Sequence, residues 1–143
     1  MRFMAKQPDQ IFPIARTNDE WRETLSPPQY HVLREHGTEP AGASPLNDEK
    51  REGLYCCAGC GAPLFNSESK YNSGSGWPSF TGSRPNAVGT SVDKSHFMAR
   101  TEIHCLRCGG HLGHVFADGP KPQGLRFCTN GAALAFRPEG TKP

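Results

Sequence analysis

No part of the chain approaches the roughly 18 to 20 consecutive apolar residues needed to cross a bilayer as a helix, so a helical membrane protein is excluded. Clustered charge is missing too. Sixteen Lys and Arg against 14 Asp and Glu leave a formal charge of +2, and the cations stand singly or in pairs. The basic stripe of a nucleic-acid binder is therefore absent. Apolar side chains make up only 35% of the 143 residues, while 16 Gly and 13 Pro are present. A chain of this size and polarity is expected to fold as one loop-rich domain with a modest core; a monomer is the expected state. The opening MRFMAKQPDQIF has no apolar run of seven or more and no small-residue cleavage pattern, so it does not read as a secretory signal. The cytoplasm is the expected compartment. There, six cysteines point to metal ligation or thiol chemistry rather than to a disulfide framework.

Residues 1–16 carry Pro8 and Pro13 and no periodicity, and read as an extended leader that drapes over the domain or frays. Thr17 with Glu20 forms a capping box ahead of Trp21 and Leu25. Ser26 caps a second helix, with Pro27 at its first position, Gln29 at its third, Tyr30 and Leu33 on one face and Gly37 just past its end. Two helices are thus predicted within 18–36. The segment TEPAGASPLNDEKREG follows as a loop marking the edge of the core. From Gly53 onward the pattern becomes short apolar runs (GLYCC, APLF, HFMARTEIHC, HLGHVF, LRFC, ALAF) separated by Gly, Pro, Ser and Asn, which predicts an antiparallel β body for the second two-thirds of the chain. Residues 17–137 are thus expected to form a single domain, and residues 138–143 read as a tail.

Four cysteines stand at metal-ligand spacing. Cys57-Ala-Gly-Cys60 and Cys105-Leu-Arg-Cys108 lie 44 residues apart, each followed by glycine (Gly61; Gly109 and Gly110). Two such turns can present four thiolates to one zinc at about 2.3 Å, and a closed thiolate shell leaves no open position, so the ion would be structural. Two disulfides or four plain buried thiols are the competing outcome.

Cys56 and Cys128 remain. A lone strand cysteine is commonly a small buried apolar residue. The strand Gly124-Leu-Arg-Phe-Cys-Thr-Asn-Gly131, however, sets Arg126 and Asn130 two residues either side of Cys128, on the same face, where a cation favours thiolate and an amide can donate. His111-Leu-Gly-His114 supplies two imidazoles that could ligate a second metal, serve as satisfied structural groups, or handle protons for a nucleophilic cysteine.

The ordered set CxxC, Lys70-Tyr-Asn-Ser-Gly-Ser-Gly-Trp-Pro-Ser-Phe80, Ser95-His96, Arg100-Thr-Glu102, CxxC, HLGHVF, DGP, LRFCTN and ALAF resembles the methionine-R-sulfoxide reductases (MsrB) from about Thr17 to Phe136. The resemblance implies a mainly β fold of two twisted antiparallel sheets, a β-tent, with short N-terminal helices and a structural zinc remote from the catalytic thiol. It implies Cys128 as the nucleophile that attacks the sulfoxide sulfur and becomes a sulfenic acid. His111, His114 and Asn130 match the groups around the substrate oxygen, and Trp77 matches the aromatic beside the substrate methyl. Arg126 is assigned to support of the thiolate. The implied substrate is methionine-R-sulfoxide, in oxidised proteins, with thioredoxin as reductant.

One position departs from the family pattern. Many members carry cysteine where this chain has Ser75, and a hydroxyl cannot condense with a sulfenic acid. Cys56 is the remaining candidate for a resolving thiol, or it is a passenger, in which case an external thiol such as glutathione or thioredoxin must act directly. The alternative to an enzyme is a zinc-stabilised interaction module of the same β architecture, as in the guanine-nucleotide-free chaperones of small GTPases. A module of that kind has no use for a reactive Cys128.

Overall fold

Local chemistry starts both helices. In the computed structural model of the chain, which describes residues 12–94 and 99–140, Thr17 Oγ1 accepts from the Glu20 amide at 3.2 Å, and Glu20 Oε1 accepts from the Thr17 amide at 2.8 Å. This opens α1, Asn18–Thr24; Ser26 and Gln29 make the same reciprocal cap for α2, Pro27–Glu35. α2 stops one residue before the glycine signal. His36, not Gly37, takes the left-handed conformation (φ 56°) that ends the helix. At Gly37 a Cβ would meet the ring of exposed His31, which would have to swing aside. The expectations for residues 1–11, for 141–143 and for the Ser95-His96 pair fall outside the described residues.

The β body has nine strands among the described residues: β1 Gly53–Cys57, β2 Pro63–Asn66, β3 Lys70–Tyr71, β4 Ser79–Phe80, β5 Val88–Asp93, β6 Arg100–Cys105, β7 His111–Phe116, β8 Arg126–Thr129 and β9 Leu134–Pro138. They form a three-stranded sheet ordered β2-β1-β9 and a six-stranded sheet ordered β3-β4-β8-β7-β6-β5, antiparallel throughout. Strand β5 has no counterpart among the predicted apolar runs, because its sequence Val-Gly-Thr-Ser-Val-Asp is mostly small and polar.

Aromatic side chains join the two sheets. Phe65 of β2 stacks on Phe80 of β4 at 4.3 Å, Tyr55 of β1 meets Phe80 edge-on at 4.9 Å, and Phe127 of β8 approaches Phe65 at 6.0 Å. All four are fully buried. The helices close a different end of the body. Trp21 and Leu33 lie against Gly59 of the first CxxC turn, and Leu33 also packs on Gly110 after the second. Arg34 donates to the Cys108 carbonyl at 3.0 Å, so α2 is tied to that turn by a polar contact as well. The described end of the leader drapes over the same turn: the Ile14 amide donates to the Arg107 carbonyl at 2.8 Å, and Phe12 meets His104 edge-on at 5.8 Å. No described helix is long and apolar enough to cross a membrane.

Candidate active site and metal centre

The CxxC turns converge. The sulfurs of Cys57, Cys60, Cys105 and Cys108 lie within 4.8 Å of one another, with Cys57–Cys108 at 3.7 Å and Cys60–Cys105 at 3.6 Å. A tetrahedral Zn–S shell with bonds near 2.3 Å has an edge of about 3.8 Å, so these donors fit such an ion and together could hold it. Each turn closes through a glycine in the left-handed region. Gly61 (φ 80°) donates to the Cys57 carbonyl and Gly109 (φ 77°) to that of Cys105, both at 2.8 Å. The Gly59 amide points at the Cys57 sulfur, 3.4 Å away.

None of these four cysteines lines the cavity that holds Cys128. That cavity, about 390 Å³, is walled by Ser75, Trp77, His114, Phe116, Arg126, Cys128 and Asn130, together with Thr38, Arg100, Gly113 and Thr129. Strand alternation explains much of this. On β8, Arg126 and Cys128 face the cavity while Phe127 turns into the core. The register pairs Cys128 directly with His114 of β7. Cross-strand partners of this kind hold their Cβ atoms about 5 Å apart, so thiol and imidazole share one patch. Gly113 permits the approach, since a Cβ there would strike the Cys128 carbonyl oxygen.

His111 and His114 are three residues apart and in a regular strand would point to opposite faces. The β6–β7 register supplies the correction: Ile103 pairs with Gly113 but His104 with His111, leaving Leu112 as an extra residue. This bulge re-aims the strand and brings the two rings to 5.6 Å. The histidines nevertheless differ in setting. His114 reaches the cavity, whereas His111 is buried behind it, does not line it, and stacks on His36 at 4.9 Å. His111 Nδ1 lies 2.8 Å from Glu102 Oε2, and the other oxygen of that buried carboxylate lies 3.0 Å from His104 Nδ1 and accepts from the Ser91 hydroxyl.

His114 Nε2 lies 2.8 Å from Asp93 Oδ2, an oxygen that Arg100 also approaches at 3.1 Å. An ionised Asp93 can only accept, which assigns the proton on His114 to Nε2. Burial pulls the His114 pKa down, with Asp93 opposing, so the ring favours its neutral form. Cys128 is also governed by burial, which pushes its thiol up; the Ser75 hydroxyl 4.0 Å away and the Arg126 guanidinium pull it back, while Asp118 adds to the rise. Arg126 is aimed by two hydrogen bonds to Asp118, at 2.9 and 3.1 Å, and lies 4.4 Å over the Phe116 ring.

Trp77 and Asn130 are held by a residue that sequence reasoning passed over. The Trp77 indole donates to the Glu39 carbonyl at 2.9 Å, and the Glu39 amide donates to Asn130 Oδ1 at 2.9 Å. Asn130 Nδ2 donates to the Leu112 carbonyl at 3.1 Å, which leaves the amide's second N–H for a ligand. The segment after α2 is therefore a wall of the cavity and not merely the edge of the core. Asp93 was missed as well, since nothing local marks it. Cys56 stands apart. It is buried in the central strand of the three-stranded sheet, on the opposite face of β1 from the Tyr55 ring, and does not line the cavity. A cavity of about 470 Å³ between Glu52, Glu68 and Arg137 is larger, but no cysteine or histidine lines it.

A strand thiol and an imidazole thus share one partly apolar cavity, an arrangement that could support cysteine chemistry. The SelR domain matches residues 25–138. The peptide methionine sulfoxide reductase MsrB of Agrobacterium fabrum (strain C58 / ATCC 33970) is 52% identical over 126 residues, covering 87% of this chain and 93% of the relative. The MsrB of Leptospira interrogans serogroup Icterohaemorrhagiae is 50% identical over 129 residues, 90% and 98% of the two chains, and that of Methanosarcina mazei is 47% identical over 127 residues, 88% and 91%. The chain belongs to the SelR family, the MsrB peptide methionine sulfoxide reductases.

Proposed function

We propose that the protein reduces methionine-R-sulfoxide in oxidised proteins, with Cys128 as nucleophile and His114 as the proton carrier. The observation that carries this reading is the direct cross-strand pairing of Cys128 with His114 inside the cavity. Sulfur of Cys128 attacks the sulfoxide sulfur, the S=O bond breaks, and the oxygen passes to Cys128 as a sulfenic acid while a methionine thioether is released. The thiol's own proton balances the step: it leaves sulfur and ends on the transferred oxygen. A neutral His114 held by Asp93 is suited to relay it. The free N–H of Asn130 supports the oxygen, and the Trp77 face receives the methyl group. His111 acts from behind, its ring oriented by Glu102.

Regeneration consumes two external thiols, yielding a disulfide and water. Ser75 cannot resolve the sulfenic acid. The geometry favours the external route over Cys56, because a disulfide needs Cα atoms within about 7 Å and Cys56 sits in the other sheet, facing away from the aromatic seam between them. Burial also pushes the Cys56 thiol up, against Arg137 and Arg84, which disfavours the attacking thiolate. Glutathione or thioredoxin would serve, in a reducing compartment such as the cytoplasm, and the ion we assign to the four clustered cysteines is zinc.

The test is incubation with the separated R and S epimers of a methionine sulfoxide peptide. The R epimer should yield about one methionine per enzyme without reductant and continuous turnover with thiol, and Cys128→Ser should yield none. Reduction of the S epimer alone, or full activity in Cys128→Ser, would refute the reading.

A further inference from the structure

We infer that Glu39 is a positioning residue that holds the substrate-facing ring of Trp77 in register with the strand carrying Cys128. The inference rests on the reading of Trp77 as the wall that meets the substrate methyl. Four hydrogen bonds meet at Glu39. Its carbonyl receives the Trp77 indole N–H at 2.9 Å, and its amide donates to Asn130 Oδ1 at 2.9 Å. Its carboxylate accepts from two consecutive backbone amides, Gly131 and Ala132, each at 2.8 Å, at the start of the 3-10 turn Gly131–Ala133 that directly follows β8 and Asn130.

The division of labour is physical. The two side-chain bonds are charge-assisted and anchor the Glu39 backbone to the end of the catalytic strand. That anchored backbone then fixes, through its carbonyl, where the indole lies. Gly131 makes the anchor possible. A Cβ there would collide with Ser44 and stand 3.3 Å from the Glu39 carboxylate. The same wall is pinned on the far side of Trp77, where Gly76 accepts from the Gly42 amide at 2.7 Å and from Asn47 Nδ2 at 3.0 Å. Thr38, next in the chain to Glu39, lines the cavity.

Glu39→Gln keeps the shape but replaces a carboxylate that accepts two N–H bonds by an amide with one acceptor and a donor, leaving one backbone N–H unmatched. In the full-length enzyme it should raise the KM for an R-sulfoxide peptide by about tenfold, the scale of one weakened charge-assisted bond. Single-turnover release at saturating substrate should fall less than KM rises, staying within about threefold of wild type, because Cys128 and His114 are untouched and the substitution keeps the backbone amide that bonds Asn130 Oδ1. Hydrogen exchange of the Trp77 indole N–H should accelerate. Trp77→Phe removes the indole donor, so adding Glu39→Gln to it should raise KM by less than about twofold. Glu39→Asp, which retains both acceptors, should recover part of the loss. An unchanged KM in Glu39→Gln beside a raised KM in Trp77→Phe overturns the proposal alone, as does a double variant whose losses multiply. An unchanged KM in Trp77→Phe overturns the proposal, because the indole N–H then positions nothing, and an unchanged KM in Trp77→Ala overturns the reading of the wall and the proposal with it.

Discussion

Ser75→Cys should change how the enzyme is recycled without changing how it attacks its substrate. Ser75 Oγ lies 4.0 Å from Cys128 Sγ, and its neighbours Gly74 (φ 78°) and Gly76 (φ 93°) occupy left-handed conformations. A disulfide of about 2.05 Å therefore asks the loop to close by about 2 Å. Gly74 is unencumbered, with nothing within 4 Å of where a Cβ would lie, so the loop can make that movement. An introduced thiol so close acts at an effective concentration in the millimolar range or above, and should capture the sulfenic acid proposed for Cys128 ahead of dissolved reductants. The ring it closes joins residues 53 apart. Chain-entropy bookkeeping for that loop gives about 4 kcal/mol of stabilisation as an upper estimate, or on the order of 10 °C in Tm for a chain of this size. The assay is a thermal melt of the variant after one equivalent of R-sulfoxide, with and without dithiothreitol, beside mass spectrometry. The oxidised form should melt higher, be two hydrogens lighter than the reduced form, and turn over faster with thioredoxin than wild type does. A free sulfenic acid persisting on Cys128 in the variant, trapped by dimedone, would refute the geometry argued for this loop.

Cys105→Ser should lower bound zinc from about one per chain to a small fraction and reduce Tm by at least about 10 °C, because the ion would join segments distant in sequence; an unchanged melt after chelation would remove the structural role. Arg126→Met should shift the pH profile of Cys128 alkylation upward. The sign follows from the cation: the thiolate is the reactive form, Arg126 favours it against burial, and its loss favours the neutral thiol. At neutral pH the alkylation rate should fall by about tenfold, and an unshifted profile would show that Arg126 only braces Asp118.

Readability from sequence tracked the distance between partners. Thr17–Glu20 and Ser26–Gln29 are three residues apart and were legible, as were the CxxC turns with their glycines, because each motif contains its own geometry. Arg126 and Cys128 could be placed on one face by strand alternation alone. Asp93 could not be found, since β5 lacks the apolar alternation that marks a strand and its link to His114 spans 21 residues. Glu39 lay in a segment rich in Pro, Gly and charge, and its side-chain partners follow 92 and 93 residues later. The unequal settings of His111 and His114 depend on a bulge that only pairing with β6 creates.

Helix α2 meets the CxxC turns along its length and, where it ends, lays His36 against His111 and starts the wall that carries Thr38 and Glu39. The region before β1 is consequently no dispensable appendage for fragment work. A piece beginning at Gly53 would keep all six cysteines, both histidines of HLGHVF and every residue of the thiol strand. It would nonetheless lose the backbone carbonyl that receives the Trp77 indole and the carboxylate that receives the Gly131 and Ala132 amides. Such a piece would carry the reactive groups without the bonds that aim the Trp77 ring and Asn130.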